Sequence, residues 1–164
     1  MWEVPEGGEI VLIYCKMKWA ENNEKLRKVI EESEHHSEWD YDDLIYMVID
    51  NILNKDGDEE NEACEVAWSK DIAKIDDGDF QGTILYLIHR ETYQPNECEY
   101  LITYIGYGSC CVCDTLQRIQ CDDNYDNKDK KPSKGQVNDY MTLCRDIVTR
   151  FKHPFNDMEA MEEA

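Results

Sequence analysis

The stretch DFQGTILYLIHRETYQPNECEYLITYIGYGSCCVCDTLQRIQC, Asp79 to Cys121, decides the fold. Gly82 to Ile88 and Glu99 to Ile105 are rich in β-branched and aromatic residues, which pack well on a pleated surface. Pro95 and Asn96 mark the bend between them, so the pattern predicts an antiparallel pair. Gly106 and Gly108 end the second strand, and Leu116 with Ile119 begin a short helix. Three cysteines, Cys110, Cys111 and Cys113, fall between strand and helix.

Upstream, IVLIYC at residues 10–15 is a continuous apolar run bounded by Gly7, Gly8 and Lys16, which predicts a mostly buried strand. From Glu21 to about Glu34 the apolar residues Leu26, Val29 and Ile30 form one narrow helical stripe, the pattern of a surface helix. Asp40 is placed to cap the next helix, with Asp42 and Asp43 in its first turn. Leu44, Val48 and Ile52, joined by Ile45, Ile49 and Leu53, repeat at helical spacing to Asn54. A turn and an acidic run, Asn54 to Glu62, follow. Between Ala63 and Ile75 helix, strand and loop all stay open, with Cys64, Ala67, Trp68, Ile72 and Ile75 fitting a helical face best. DDGD at Asp76 to Asp79 breaks the pattern.

Downstream, Asp122 to Gly135 is polar throughout and predicts an exposed loop. Val137, Tyr140, Met141, Cys144, Ile147, Val148 and Phe151 keep the helical period without a miss, and Pro154 stops it. The expected architecture is α+β, a small antiparallel sheet packed against amphipathic helices in a single domain at 1–155. The sheet is expected to contain strands 10–15, 82–88 and 99–105, covered on one face by helices 41–54 and 137–151. An acidic, frayed tail is expected at 156–164.

With 164 residues and 41% hydrophobic content, the chain can bury one sizeable core. Its net charge is -20, from 37 acids against 17 Lys and Arg. That field repels a nucleic-acid backbone and an anionic membrane, and attracts a cationic partner. The longest apolar runs are too short to span a bilayer. The N-terminus shows no basic segment followed by an apolar stretch, so a cytoplasmic chain with reduced thiols is expected. Between Glu21 and Glu65 there are 16 acids against 4 bases, whereas Asp122 to Ala164 has 10 against 7. Rows of carboxylates can imitate phosphates, which nominates Asp56, Asp58, Glu59, Glu60 and Glu62 as partner-binding residues for a basic protein surface. The plain competing reading is that these acids only confer solubility.

Cys110 and Cys113 have the C-x-x-C spacing that puts two thiolates on one ion or into one reversible disulfide. If Ser109 caps the helix, the thiols lie in its first turn, where the dipole lowers their pKa. If Asp114 caps it, with Gln117 closing a capping box, they lie in the preceding loop. A structural zinc needs four ligands and no second C-x-x-C exists, so Cys121, Cys98, Cys64 or His89 would have to complete the set through the fold. The plain reading has the cysteines packing a tight turn under the sheet. The Cys-to-Arg spacing of a phosphatase loop is missed by one residue from both Cys111 and Cys113 to Arg118. The candidate EF-hand loops at Ile52 to Ala63 and after Asp122 lack required ligands. His35 and His36, amid Glu32, Glu34, Glu38 and Asp40, read as solvated charge. No complete catalytic constellation is present.

The run Gly106 to Gln117, preceded by the strand after Asp79-Phe80-Gln81-Gly82, resembles a family of small phage and bacterial proteins with a G-S-C-x-x-C-D signature. In that family the signature follows a hairpin, and an amphipathic helix lies near the C-terminus. The resemblance covers residues 79–155, and Cys111 departs from it where a small polar residue is expected. It implies a phage-like accessory protein. Joined to the charge, this gives the expectation of a non-enzymatic interaction protein that inhibits or redirects a host protein through a DNA-mimic-like surface, with no cofactor. The alternative is a zinc- or thiol-dependent module centred on Cys110 and Cys113.

Overall fold

The computed structural model describes residues 7–54, 66–121 and 130–154. The apolar run at 10–15 is not a strand. It lies inside a 25-residue helix, α1, Gly7–Glu31. The stripe that α1 buries is Val11, Cys15, Lys18, Leu26 and Ile30, while Ile10 and Met17 stay about half exposed. Asn22 belongs to the same stripe and donates from Nδ2 to the Ile52 carbonyl (2.8 Å). The spacing is helical throughout. Hydropathy missed it because a lysine and an asparagine occupy two of its positions. Lys18 buries its aliphatic stem and holds its ammonium 5.5 Å from the Tyr14 ring centroid.

After a 3-10 turn at His36–Glu38, α2 runs over Tyr41–Val48 and continues as a π-helical turn, Ile49–Leu53. Asp40 caps α2 as expected. Its carboxylate accepts from the Asp43 N–H (3.0 Å), and the Asp43 carboxylate accepts from the Asp40 N–H (2.9 Å). In the π turn the Asn54 N–H donates to the Ile49 carbonyl, five residues back. Carbonyls at the turn are taken up by α1, through Asn22 to Ile52 and Lys25 Nζ to Asp50 (3.2 Å). Polar side chains thus set where α1 sits on α2.

The sheet has three antiparallel strands in the order β1-β2-β3: Ala73–Asp76, Gly82–His89 and Tyr100–Tyr107. The predicted hairpin is present, with Gly82 opposite Tyr107 and His89 opposite Tyr100. The third strand is β1, in the region whose apolar residues fitted a helical face best. Trp68 is buried because it bridges to Arg90 and stacks under its guanidinium, whereas Ile75 is 66% exposed on an edge strand. The breaker Asp76 to Asp79 is the β1–β2 turn. A Cβ on Gly78 would collide with the Gln81 carbonyl, so the turn takes glycine there.

Tyr86 and Ile88 on β2 and Leu101, Thr103 and Ile105 on β3 form the buried face. The helix layer covers it, as expected. Helix α3 spans Thr115–Cys121 and α4 spans Lys134–Thr149. Ser133 caps α4 in a box with Gln136, whose Nε2 also donates to the Ile119 carbonyl at the end of α3 (3.0 Å). Thr103 Oγ1 donates to the Ile147 carbonyl (2.9 Å), tying the sheet to α4. Beyond α4 the chain covers the outer edge of β3, where Ile102 and Lys152 exchange backbone hydrogen bonds. No helix among the described residues is long and apolar enough to cross a membrane.

Candidate functional site

Strand β3 delivers the cysteines to one end of the hairpin. The turn that follows is closed by Asp114, which is buried. Its Oδ1 accepts from the Gly108 N–H (3.0 Å) and the Tyr41 hydroxyl (2.8 Å), and its Oδ2 from the Gln117 N–H (2.8 Å). Asp114 therefore caps α3, and the cysteines occupy the loop before it. The capping box is not completed, because Gln117 Nε2 donates instead to the Gly108 carbonyl (3.3 Å). The Cys110 carbonyl accepts from both the Cys113 and the Asp114 N–H. Burial, followed by the hydrogen bond to Asp114, pushes the Tyr41 hydroxyl well above its ordinary pKa.

Within this frame Cys110 Sγ and Cys113 Sγ lie 3.2 Å apart, both exposed to solvent. The hydrogen bond with Cys110 lowers the Cys113 thiol to about 7, helped by the Cys110 backbone and by Ser109. Cys15 and Cys144 behave oppositely, since burial pushes each up to about 12. Cys110 and Cys113 are thus solvent-facing rather than packed under the sheet, and the packing reading fails for them, while Cys111 between them is half-buried.

Gly108 permits this closeness. A Cβ there would stand 2.6 Å from the Cys113 carbonyl carbon, oxygen and Sγ. Gly108→Ala is expected to lower stability by about 2 kcal/mol, the cost of overpacking against backbone that cannot yield. Urea denaturation would measure it; an unchanged midpoint would mean that the turn tolerates a side chain.

The other residues nominated as zinc ligands are not brought here. His89 and Cys98 lie at the far end of the hairpin, about 20 Å away at the rise of a strand. Asp114 turns its carboxylate inward, and Cys121 is at the end of α3 rather than its start. Cys64 lies outside the described residues. What the fold assembles here is a pair of thiols, and among the described residues no three His, Cys, Asp or Glu side chains are arranged so that they could hold a metal ion.

A second feature adjoins the turn. The start of α2 meets the β1–β2 turn: the Asp40, Asp42 and Asp76 charges act together on Lys74, and those of Asp76, Asp77 and Asp79 on Tyr107. Lys74 pairs with Asp42 (2.7 Å), and this bond, with the Asp40 and Asp76 charges behind it, raises its pKa. Tyr86 donates to Asp42 (2.7 Å), and Tyr107 donates to Asp76. The Tyr107 hydroxyl is pushed up to about 12, first by the Asp76 hydrogen bond and then by burial and by the Asp76, Asp77 and Asp79 charges. Between this face and the thiol turn runs a groove of about 260 Å³, walled by Trp39, Tyr107 and Ile84 with Asp40 and Asp76 on it. The five acids nominated from the sequence, Asp56, Asp58, Glu59, Glu60 and Glu62, lie outside the described residues. The residues that flank their segment are joined, since the Asn54 side chain bonds both the N–H and the carbonyl of Trp68.

Sequence reasoning missed two residues. His36 is fully buried rather than solvated, with Nδ1 2.8 Å from the Tyr140 hydroxyl and its ring edge-on to Trp39 and Tyr140. The role of Tyr41 as a partner of Asp114 across 73 residues had no local signal. Neither a family profile, nor a curated protein, nor a solved structure matches this chain.

Proposed function

We propose that the protein is a non-enzymatic interaction protein whose acidic face docks on a basic surface of another protein. The observation that carries this is the meeting of Asp40 and Asp42 with Asp76, far apart in the chain, at an aromatic groove lined by Asp40 and Asp76. Carboxylates beside Trp39 and Tyr107 suit an arginine or lysine side chain, which gains both ion pairing and the ring face. The overall charge of -20 steers such a partner to the protein and repels free nucleic acid. The resemblance of residues 79–155 to phage and bacterial proteins supports a host protein as the partner, and a nucleic-acid-binding protein offers the required basic surface.

The test compares two variants of equal charge. Asp76→Asn with Asp79→Asn removes charge from the face; Glu31→Gln with Glu34→Gln removes it from the end of α1. Binding of an arginine-rich peptide is expected to weaken about tenfold in the first and about twofold in the second, as for two partly screened ion pairs. Raising the salt, which shortens the screening length, is expected to erase the difference. Equal loss in both variants, or binding indifferent to salt, would reduce the acids to a solubility role. Neutralising Asp56, Asp58, Glu59, Glu60 and Glu62 together measures the share of that segment.

A further inference from the structure

We infer that Cys110 and Cys113 form a thiol–disulfide exchange site, and that its substrate is a disulfide held in a neutral or cationic setting. The inference goes beyond the docking reading and stands on different atoms. Two exposed sulfurs 3.2 Å apart reach the ~2.05 Å of a disulfide by side-chain rotation. Gly108 clears the space behind Cys113, and the bonds of Asp114 to Gly108, Gln117 and Tyr41 hold the loop that carries both. Val112, between them, is 83% exposed, so a large disulfide can approach the tip.

Cys113 is the attacking thiol, because its pKa is lowered to about 7. At neutral pH this gives it about 15 times the thiolate of an ordinary thiol, offset about fivefold by lower intrinsic nucleophilicity, for a net gain of about threefold. In the first step its thiolate bonds to one sulfur of R–S–S–R. The substrate S–S bond breaks, and the departing RS⁻ takes up a proton from solvent. Cys110 then gives its proton to solvent and attacks Cys113 Sγ. The Cys110–Cys113 bond forms, the Cys113–SR bond breaks, and a second RSH leaves. Two electrons pass from the two thiols to the substrate, which is reduced to two thiols. Tyr107, adjoining the turn, feels Asp76, Asp77 and Asp79, so an anionic disulfide is repelled and a cationic one attracted.

The experiment treats the full, reduced chain with cystamine, a dicationic disulfide, then alkylates the remaining thiols and maps them by mass spectrometry. The expected first disulfide is Cys110–Cys113. In Cys110→Ser the second step is blocked and the cysteamine adduct collects on Cys113. In the unsubstituted chain the Cys113 thiol is consumed at least about threefold faster than that of Cys98 or Cys121, at a rate that rises as pH passes about 7. Glutathione disulfide, which is anionic, reacts about tenfold more slowly at low salt. Another pair oxidising first, or an adduct spread evenly over the exposed cysteines, overturns the site. Equal rates for the two disulfides overturn the substrate class. Mapping of the unsubstituted chain reads the first of these without any variant.

Discussion

Asp114→Ala is expected to cost about 4 kcal/mol, because one substitution orphans donors from three parts of the fold. The buried carboxylate accepts from Gly108 at the end of β3, from Gln117 in α3 and from Tyr41 in α2. Hydrogen bonds to a charged group contribute about 1.5–3 kcal/mol each, and buried donors left unmade cost more than the bond itself was worth. The Tyr41 hydroxyl already accepts from the Leu116 N–H (3.4 Å), a donor that offers its orphaned O–H no replacement acceptor. Against a whole-domain stability of about 5–15 kcal/mol the loss is large. Asp114→Asn keeps one acceptor oxygen and is expected to cost about half as much. Urea titration of both variants would check the order. A cost below about 1 kcal/mol for alanine would mean that Asp114 does not organise the turn.

Lys16→Pro is expected to be nearly as damaging, at about 3 kcal/mol or more, although Lys16 is exposed and its side chain is not part of the core. The cause lies in the backbone: residue 16 is in the middle of α1, where proline removes a helical hydrogen bond and clashes with the carbonyl four residues back. Lys16→Ala, which keeps the N–H, is expected to change stability by less than about 0.5 kcal/mol. Circular dichroism during thermal melting would compare the two. If residues 10–15 were the buried strand that their apolar run predicts, proline just past its end would be tolerated, so equal melting of the two variants would overturn the helix.

These two sites also mark where the sequence was legible. The hairpin of β2 and β3, the Asp40 cap, helix 41–54, the short helix after the cysteines, helix α4 and the α+β class are all legible in the sequence. In each, local chemistry and burial agree: β-branched runs face a core, a carboxylate precedes a helix, and apolar residues recur at helical spacing. The cysteine turn is legible as well, but the choice between Ser109 and Asp114 as cap rests on the Asp114 carboxylate accepting the Gln117 N–H.

What local pattern could not carry is burial that depends on a distant partner. Asn22 lies on the inner stripe of α1 because Ile52, thirty residues later, receives it, so a six-residue apolar run reads as a strand within a helix of 25. His36 lies inside because Tyr140, 104 residues later, meets its ring. Trp68 is buried by a bridge to Arg90 rather than by a helical face. Composition and short-range periodicity thus dictated which elements exist around residues 40–54 and 82–151. Contacts between remote segments dictated the third strand, the course of the N-terminal helix, the inward aim of Asp114, and hence the meeting of two sulfurs at the surface. A polar side chain pays its desolvation cost only where the fold supplies a partner, and the identity of that partner is not written within a few residues of it.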